Sequence, residues 1–261
     1  VLTALVGVPL VVLLIAFGQN IGLLLLILAA TSQGLFEFYR LTFSEKQPRE
    51  TAIGIGLGLL LPLGAHFGQE ETVLALTALG VVIVFILFVA QPRNIDTIIS
   101  QMAVTLLGVI YVSFLLSHIV LLGKQPEGIR WVFFLLFTVW CGDTLAYFTG
   151  ILIGKHKLYS KISPKKTFEG LLGGLAGSIA AALLLRRFML PGLSWSHAVL
   201  LGFFIMTLGQ LGDFGESLIK RSVHVKDSSR LIPGHGGVLD RLDSFLFSAP
   251  FLYYYLRWFS G

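Results

Sequence analysis

A succession of apolar runs, each close to the roughly 20 residues a helix needs to cross a bilayer, is the feature that most restricts how this chain can fold. One such run can be buried in a soluble core, but many in succession cannot, and the residue-by-residue alternation of a membrane barrel is absent. In hydrocarbon the backbone N–H and C=O groups must bond within their own segment, so the runs read as helices. With 55% of residues hydrophobic and 13% charged, the composition agrees. The fold class expected is all-α, a polytopic transmembrane bundle of about nine spans, at 1–17, 21–38, 51–67, 72–90, 98–122, 130–152, 169–190, 197–219 and 243–259. Short polar breaks such as "GQN" at 18–20 and "GKQPEG" at 123–128 separate them as ordinary turns.

Charge in the breaks sets the orientation. The loops after the second, fourth, sixth and eighth spans hold 14 of the 19 Lys and Arg residues. By the positive-inside rule those loops face the cytoplasm, with the N-terminus inside and the C-terminus outside. An integral protein of the cell inner membrane is expected, with two basic loops, 153–168 and 220–242, on its cytoplasmic face. Val1 lies inside an apolar run, which suits a processed or trimmed N-terminus better than a signal peptide. The single cysteine, Cys141, excludes an intramolecular disulfide and has no thiolate partners for a zinc site. No internal repeat supports an inverted-repeat transporter, and nothing points to nucleic acid.

Polar residues inside the spans are the informative exceptions. Asp143 in "FTVWCGDTLAYFTG" and Asp213 in "TLGQLGDFGESLIK" are each flanked by apolar turns. A helix-centre Asp costs about 2.5 to 3.5 kcal/mol on insertion scales, so each needs a cation, a base or a polar cavity. Glu37 and Arg40, three apart at a span end, read as an interfacial pair. Gly54, Gly56 and Gly58, and later Gly170, Gly173, Gly174 and Gly177, read as close helix packing, with dimerisation through glycine-rich or N-terminal spans a further expectation.

The densest chemistry lies between Ser217 and Ser244, "SLIKRSVHVKDSSRLIPGHGGVLDRLDS". Helical spacing sets Glu216, Ser217 and Lys220 on one stripe with Asp213. Asp240 and Asp243 stand three apart at the start of the last span. Three carboxylates, Asp213, Asp240 and Asp243, thus offer an oxygen-only set for a hard cation, Mg2+ or Mn2+, of which such an ion typically uses one or two. Lys220, Arg221, Lys226, Arg230 and Arg241 in this segment, and Lys155, Lys157, Lys161, Lys165 and Lys166 in the earlier loop, add anion-binding charge. Attraction to anionic headgroups explains the charge but not its arrangement. Gly236 and Gly237, which let backbone N–H groups approach an anion, point to a phosphate cradle and so to a polyphosphate site with Mg2+. For His235, donating to a phosphate and capping the turn are both compatible with the spacing.

Ser217-x-x-Lys220-Arg221-x4-Lys226-Asp227, followed by His235-Gly236-Gly237-x-x-Asp240-Arg241-x-Asp243, closely resembles the motif of the phosphatidate cytidylyltransferases, or CDP-diacylglycerol synthases. "SPKKTFEG" at 163–170 and "CGDTLAY" are similar to further blocks of that family, so the resemblance covers about residues 138–244. It implies transfer of a cytidylyl group from CTP to phosphatidic acid in phospholipid biosynthesis, with Mg2+ and room for a second cation. Asp213 and Asp240 would hold Mg2+, with Asp243 as a third ligand or beside the ligands. Lys220, Arg221, Lys226 and Arg241 would hold phosphates, and Lys165 and Lys166 would reach CTP or the lipid headgroup. Asp227 would orient a base, and Asp143 would complete the acidic cavity. A related membrane lipid cytidylyltransferase or lipid kinase with another acceptor, or an ion-coupled secondary transporter using Asp143 and Asp213, are the alternatives. By role the chain then divides into N-terminal packing helices, 1–97, and a catalytic membrane domain, 98–261.

Overall fold

The structure is a computed structural model that describes residues 2–43, 47–90, 95–229 and 236–259, with side chains from residue 7 onward. In chain order the helices are α1 (Leu2–Thr42), α2 (Pro48–Phe67), α3 (Glu70–Ala90), α4 (Ile95–Gly108), α5 (Leu115–Gly123), α6 (Gly128–Ile153), α7 (Phe168–Phe188), α8 (Trp195–Ser222) and α9 (Leu239–Phe259). A π-helical turn, Val109–Phe114, joins α4 to α5, and β1 (Lys157–Tyr159) pairs antiparallel with β2 (Ser163–Thr167).

Among the described residues seven helices are long and apolar enough to cross a membrane, rather than about nine. Two local facts make the difference. At the expected break, Gln19 leaves helical geometry, at φ 48° and ψ −134°, so α1 consists of two helical arms that meet at a kink and count together as one long apolar helix. At the other end of the chain α9 carries Asp240, Arg241, Asp243 and Arg257 and lies outside the seven. The 153–168 loop also departs from expectation, because it contains the β1–β2 hairpin. Its lysine-rich sequence has no apolar alternation to announce a strand, and backbone pairing alone defines the ladder.

The chain divides into two compact units by packing: Val1–Gln125 with Val223–Leu242, and Pro126–Ser222 with Asp243–Gly261. These boundaries describe contacts and run elsewhere than the division by role at residue 97.

In the first unit the core forms around Tyr39, whose buried ring donates its hydroxyl to the Thr105 carbonyl at 2.7 Å. The ring fits because Gly54 and Gly108 face it; a Cβ at either position would lie 2.6 Å or less from Tyr39 atoms. Gly58 packs on Leu35 in the same way, whereas Gly56 faces open space. Lys124 donates to the carbonyls of Ala65, His66 and Gly68, satisfying acceptors that the end of α2 leaves without helical partners.

In the second unit α7 lies against α6 along a stripe of small residues. A Cβ on Gly170 would meet the Ala146 carbonyl at 2.9 Å, and one on Gly177 the Cys141 carbonyl at 3.0 Å. Gly173 and Gly174 admit Thr149 and Met206, so the expected close packing is formed. Thr167 caps α7 by accepting from the Gly170 N–H at 3.1 Å, and Glu169 accepts from the N–H groups of Lys155 and His156. That double anchor ties the base of the hairpin to the first turn of α7.

Candidate active site

The second unit holds the acidic part of the candidate site. Asp213 lies on α8 and Asp243 on the first turns of α9, and two glycines bring their backbones together. A Cβ on Gly212 would fall 2.2 Å from the Asp243 carbonyl oxygen, and one on Gly209 would touch Ser244 at 3.4 Å. Asp243 lies within electrostatic reach of Asp213, Asp143 and the Lys166 ammonium. Ser244 connects this group, its N–H donating to Asp243 at 2.7 Å and its hydroxyl reaching Asp143 at 3.5 Å.

The cation among these acids comes from the hairpin. Lys166 Nζ stands 2.5 Å from Asp213 Oδ2, donates to Gln210 Oε1 at 2.9 Å, and lies 4.5 Å from the centre of the Phe214 ring. Position 166 is the next-to-last residue of β2, so the Thr167 cap that fixes the start of α7 also fixes where Lys166 begins. Ser217, one turn along α8, donates to Asp213 Oδ1 at 3.3 Å. Gln210, Ser244 and Phe214 were not legible as site residues; the first lies one turn before Asp213 on the same helix face, which is the only signal it carried.

Other residues singled out by the motif are placed differently. Lys220 is buried and ion-paired to Glu216 one turn back on α8. Arg221 is exposed and donates to the Ile162 carbonyl in the hairpin turn at 3.3 Å. Lys165, Lys226, Asp227 and Arg241 are exposed. His235 and Arg230 lie outside the described residues. Of the three carboxylates expected around one ion, Asp213 and Asp243 belong to the second unit and Asp240 to the first.

In the first unit the signature segment returns to the membrane around two carboxylates. Asp240 Oδ2 accepts from the Ser228 N–H at 2.9 Å, the Ser228 hydroxyl at 2.7 Å and the Gly237 N–H at 2.7 Å. Glu37, fully buried near the end of α1, accepts from the Ser229 hydroxyl and from the Val238 and Leu239 N–H groups, at 2.7, 3.1 and 2.8 Å. Ser228 Oγ lies 3.0 Å from it and Gln33 donates at 3.0 Å. The expected interfacial pair of Glu37 and Arg40 is not formed: Arg40 is exposed, while the carboxylate is turned inward to donors nearly 200 residues away in the chain.

The same contacts explain the double glycine. Gly236 has φ +77°, and a Cβ there would lie 2.6 Å from Asp240 Oδ2. A Cβ on Gly237 would lie 2.0 Å from Ser228 Oγ and 2.4 Å from Glu37 Oε2. What comes close to these backbones in the structure is the chain's own pair of carboxylates, and the Gly237 N–H, expected to face a phosphate, donates to Asp240.

Among the described residues no three His, Cys, Asp or Glu side chains form a ready-made metal cage. The donors present nevertheless suit a hard ion. Asp213 and Asp243 offer carboxylate oxygens, with the Lys166 ammonium ion-paired to Asp213, and Mg2+ commonly takes only one or two carboxylates, leaving the rest to water and substrate phosphates.

A family model described as "Cytidylyltransferase family" matches residues 1–259. A phosphatidate cytidylyltransferase of Bacillus subtilis is 33% identical over 240 residues, covering 90% of this chain and 89% of that protein. One from Staphylococcus aureus is 35% identical over 209 residues, 77% of this chain and 76% of that protein. One from Staphylococcus epidermidis is 46% identical over 128 residues, 49% of each chain.

Proposed function

The chain belongs to the cytidylyltransferase family, and on that footing we propose that it transfers the cytidylyl group of CTP to phosphatidic acid, releasing pyrophosphate and forming CDP-diacylglycerol. The observation that carries the reading is that Asp243 lies within electrostatic reach of Asp213 and Asp143, with the hairpin lysine Lys166 ion-paired to Asp213, in a helical membrane protein. A phosphate oxygen of phosphatidic acid attacks the α-phosphorus of CTP; the new P–O bond forms as the α–β bridging P–O bond breaks, and the electron pair leaves with pyrophosphate. The nucleophile is already an anion, so no strong base is required. What the protein must supply is approach of two anions and stabilisation of the leaving group.

Asp213 and Asp243 would hold Mg2+, with Asp143 beside them, and the ion would supply charge neutralisation to the phosphates. Lys166 is held by Asp213 and Gln210 and carries a positive charge to the same place. Lys165 on the hairpin and Arg221 at the end of α8 are exposed cations available to a polyphosphate. Lys220, buried and paired with Glu216, lies on α8 with Asp213. The family resemblance assigns Lys226, Asp227, His235, Arg241 and the Asp240 turn of the first unit to the same reaction.

Nine crossings are retained if Gln19 divides α1 into two arms and α9 is the last span. The excess of Lys and Arg in alternate loops supports a hairpin on the cytoplasmic side, where CTP is found. The test is direct. Purified protein supplied with labelled CTP, phosphatidic acid and Mg2+ is expected to yield labelled lipid and pyrophosphate in equal amounts. Failure to form either product with all three present would overturn the reading, and pyrophosphate release without labelled lipid would point to another acceptor.

A further inference from the structure

We infer that Glu37, in the N-terminal helix α1, is the positioning residue of the signature segment, holding Ser228 and Ser229 against Val238 and Leu239 in the arrangement that presents Asp240 and Arg241. The inference deepens the proposed function, since it is that reading which makes the segment catalytic.

Geometry carries it. A fully buried carboxylate must be compensated by strong hydrogen bonds, and Glu37 has four donors within 3.1 Å, with the Ser228 hydroxyl, which donates to Asp240, 3.0 Å away. Three of them, the Ser229 hydroxyl and the Val238 and Leu239 N–H groups, belong to the signature segment. The last two lie where α9 begins, among the N–H groups that a helix cannot satisfy internally. Glu37 therefore caps α9 from another helix, with its negative charge at the positive end of the α9 dipole. Asp240 closes the same turn from inside, accepting from Gly237 three residues back as in a capping box. Gly237 is the residue that admits Glu37, because any side chain there would overlap Oε2.

Both oxygens of Glu37 accept: Oε1 from Gln33, Ser229 and Val238, Oε2 from Leu239 with Ser228 alongside. An amide in its place turns an NH2 group toward donors whichever way it is oriented. Glu37→Gln is thus expected to release the segment although it preserves size and removes only a charge.

The test uses the full-length purified protein and two readouts, transfer kinetics with CTP and phosphatidic acid, and hydrogen exchange of peptides from 223–242 with α6–α7 peptides as reference. Glu37→Gln should lower kcat about 100-fold, the order expected when reacting groups are misplaced by about an ångström. Exchange in 223–242 should quicken while α6–α7 is unchanged. Near-normal kcat in this variant would overturn the inference, as would lost activity with the segment still fully protected, which would give Glu37 a different role. Should Glu37→Gln lose protection throughout the molecule, Ser229→Ala decides: quicker exchange confined to 223–242 supports the inference and unchanged exchange overturns it. If wild-type protein makes no CDP-diacylglycerol, the proposed reaction fails while hydrogen exchange still judges the role of Glu37 in holding the segment.

Discussion

Two carboxylate clusters in this molecule are built from the same chemical group and solve opposite problems. Glu37 and Asp240 in the first unit are surrounded by N–H and O–H donors, which satisfy them locally and order a turn. In the second unit Asp143 and Asp213 both lie within electrostatic reach of Asp243, with Lys166 ion-paired to Asp213 as the nearby cation. A carboxylate saturated by donors is structural cement, whereas carboxylates brought within reach of one another repel, and a cation or a proton relieves that repulsion. The difference lies in what surrounds the acid and not in the acid itself.

The comparison is broken most sharply in the second cluster. Asp213→Asn is expected to reduce kcat on the order of 1000-fold, through lost electrostatic stabilisation, with helical content and membrane insertion unchanged. Turnover near wild type in saturating Mg2+ would remove Asp213 from the candidate site. In the first cluster, the three hydrogen bonds described for Asp240 all fall on one oxygen, so Asp240→Asn can keep them, in contrast to Glu37→Gln. We expect Asp240→Asn to lose about 100-fold in kcat while exchange in 223–242 stays slow, which would separate the charge of Asp240 from its structural bonds. Exchange rising with the loss would instead make Asp240 cement only.

Smaller effects test how each cluster is supported. Gly212→Ala sets a methyl against the Asp243 carbonyl, a backbone atom that cannot swing away, and should destabilise the protein by about 1 to 3 kcal/mol in thermal unfolding, with activity falling as α8 and α9 separate. Tyr39→Phe removes one buried hydrogen bond, to Thr105, from the core of the first unit and should cost about 1 kcal/mol with kcat unchanged. A large loss of kcat in that variant would extend the functional region into α1 beyond Glu37.

How much was legible differs between the clusters. Asp143 and Asp213 stood out because an acid in an apolar helix costs energy that something must offset, and the chain indeed gathers them with Asp243. Glu37 obeys the same rule but was hidden by Arg40, three residues on, which offered a ready surface partner. The hairpin gave no signal because its strands are short, lysine-rich and joined only by backbone bonds. Gly236 and Gly237 were visible as places of close approach, yet what approaches them could not be read, since a Ser and a Glu from distant positions fill that space.

The chemistry of its signature came from resemblance to a family, while the sequence by itself determined that this is a helical membrane protein and where its charges concentrate. Those properties follow from residue identity and local spacing, which act within one helix or one loop. Tertiary structure alone decided that Lys166 sits on Asp213, that Gly212 lets α8 reach α9, and that Glu37 holds the start of α9. Each of those depends on hydrogen bonds or contacts made to groups far along the chain, many of them backbone N–H or C=O, which every residue but proline carries alike and no sequence pattern can mark.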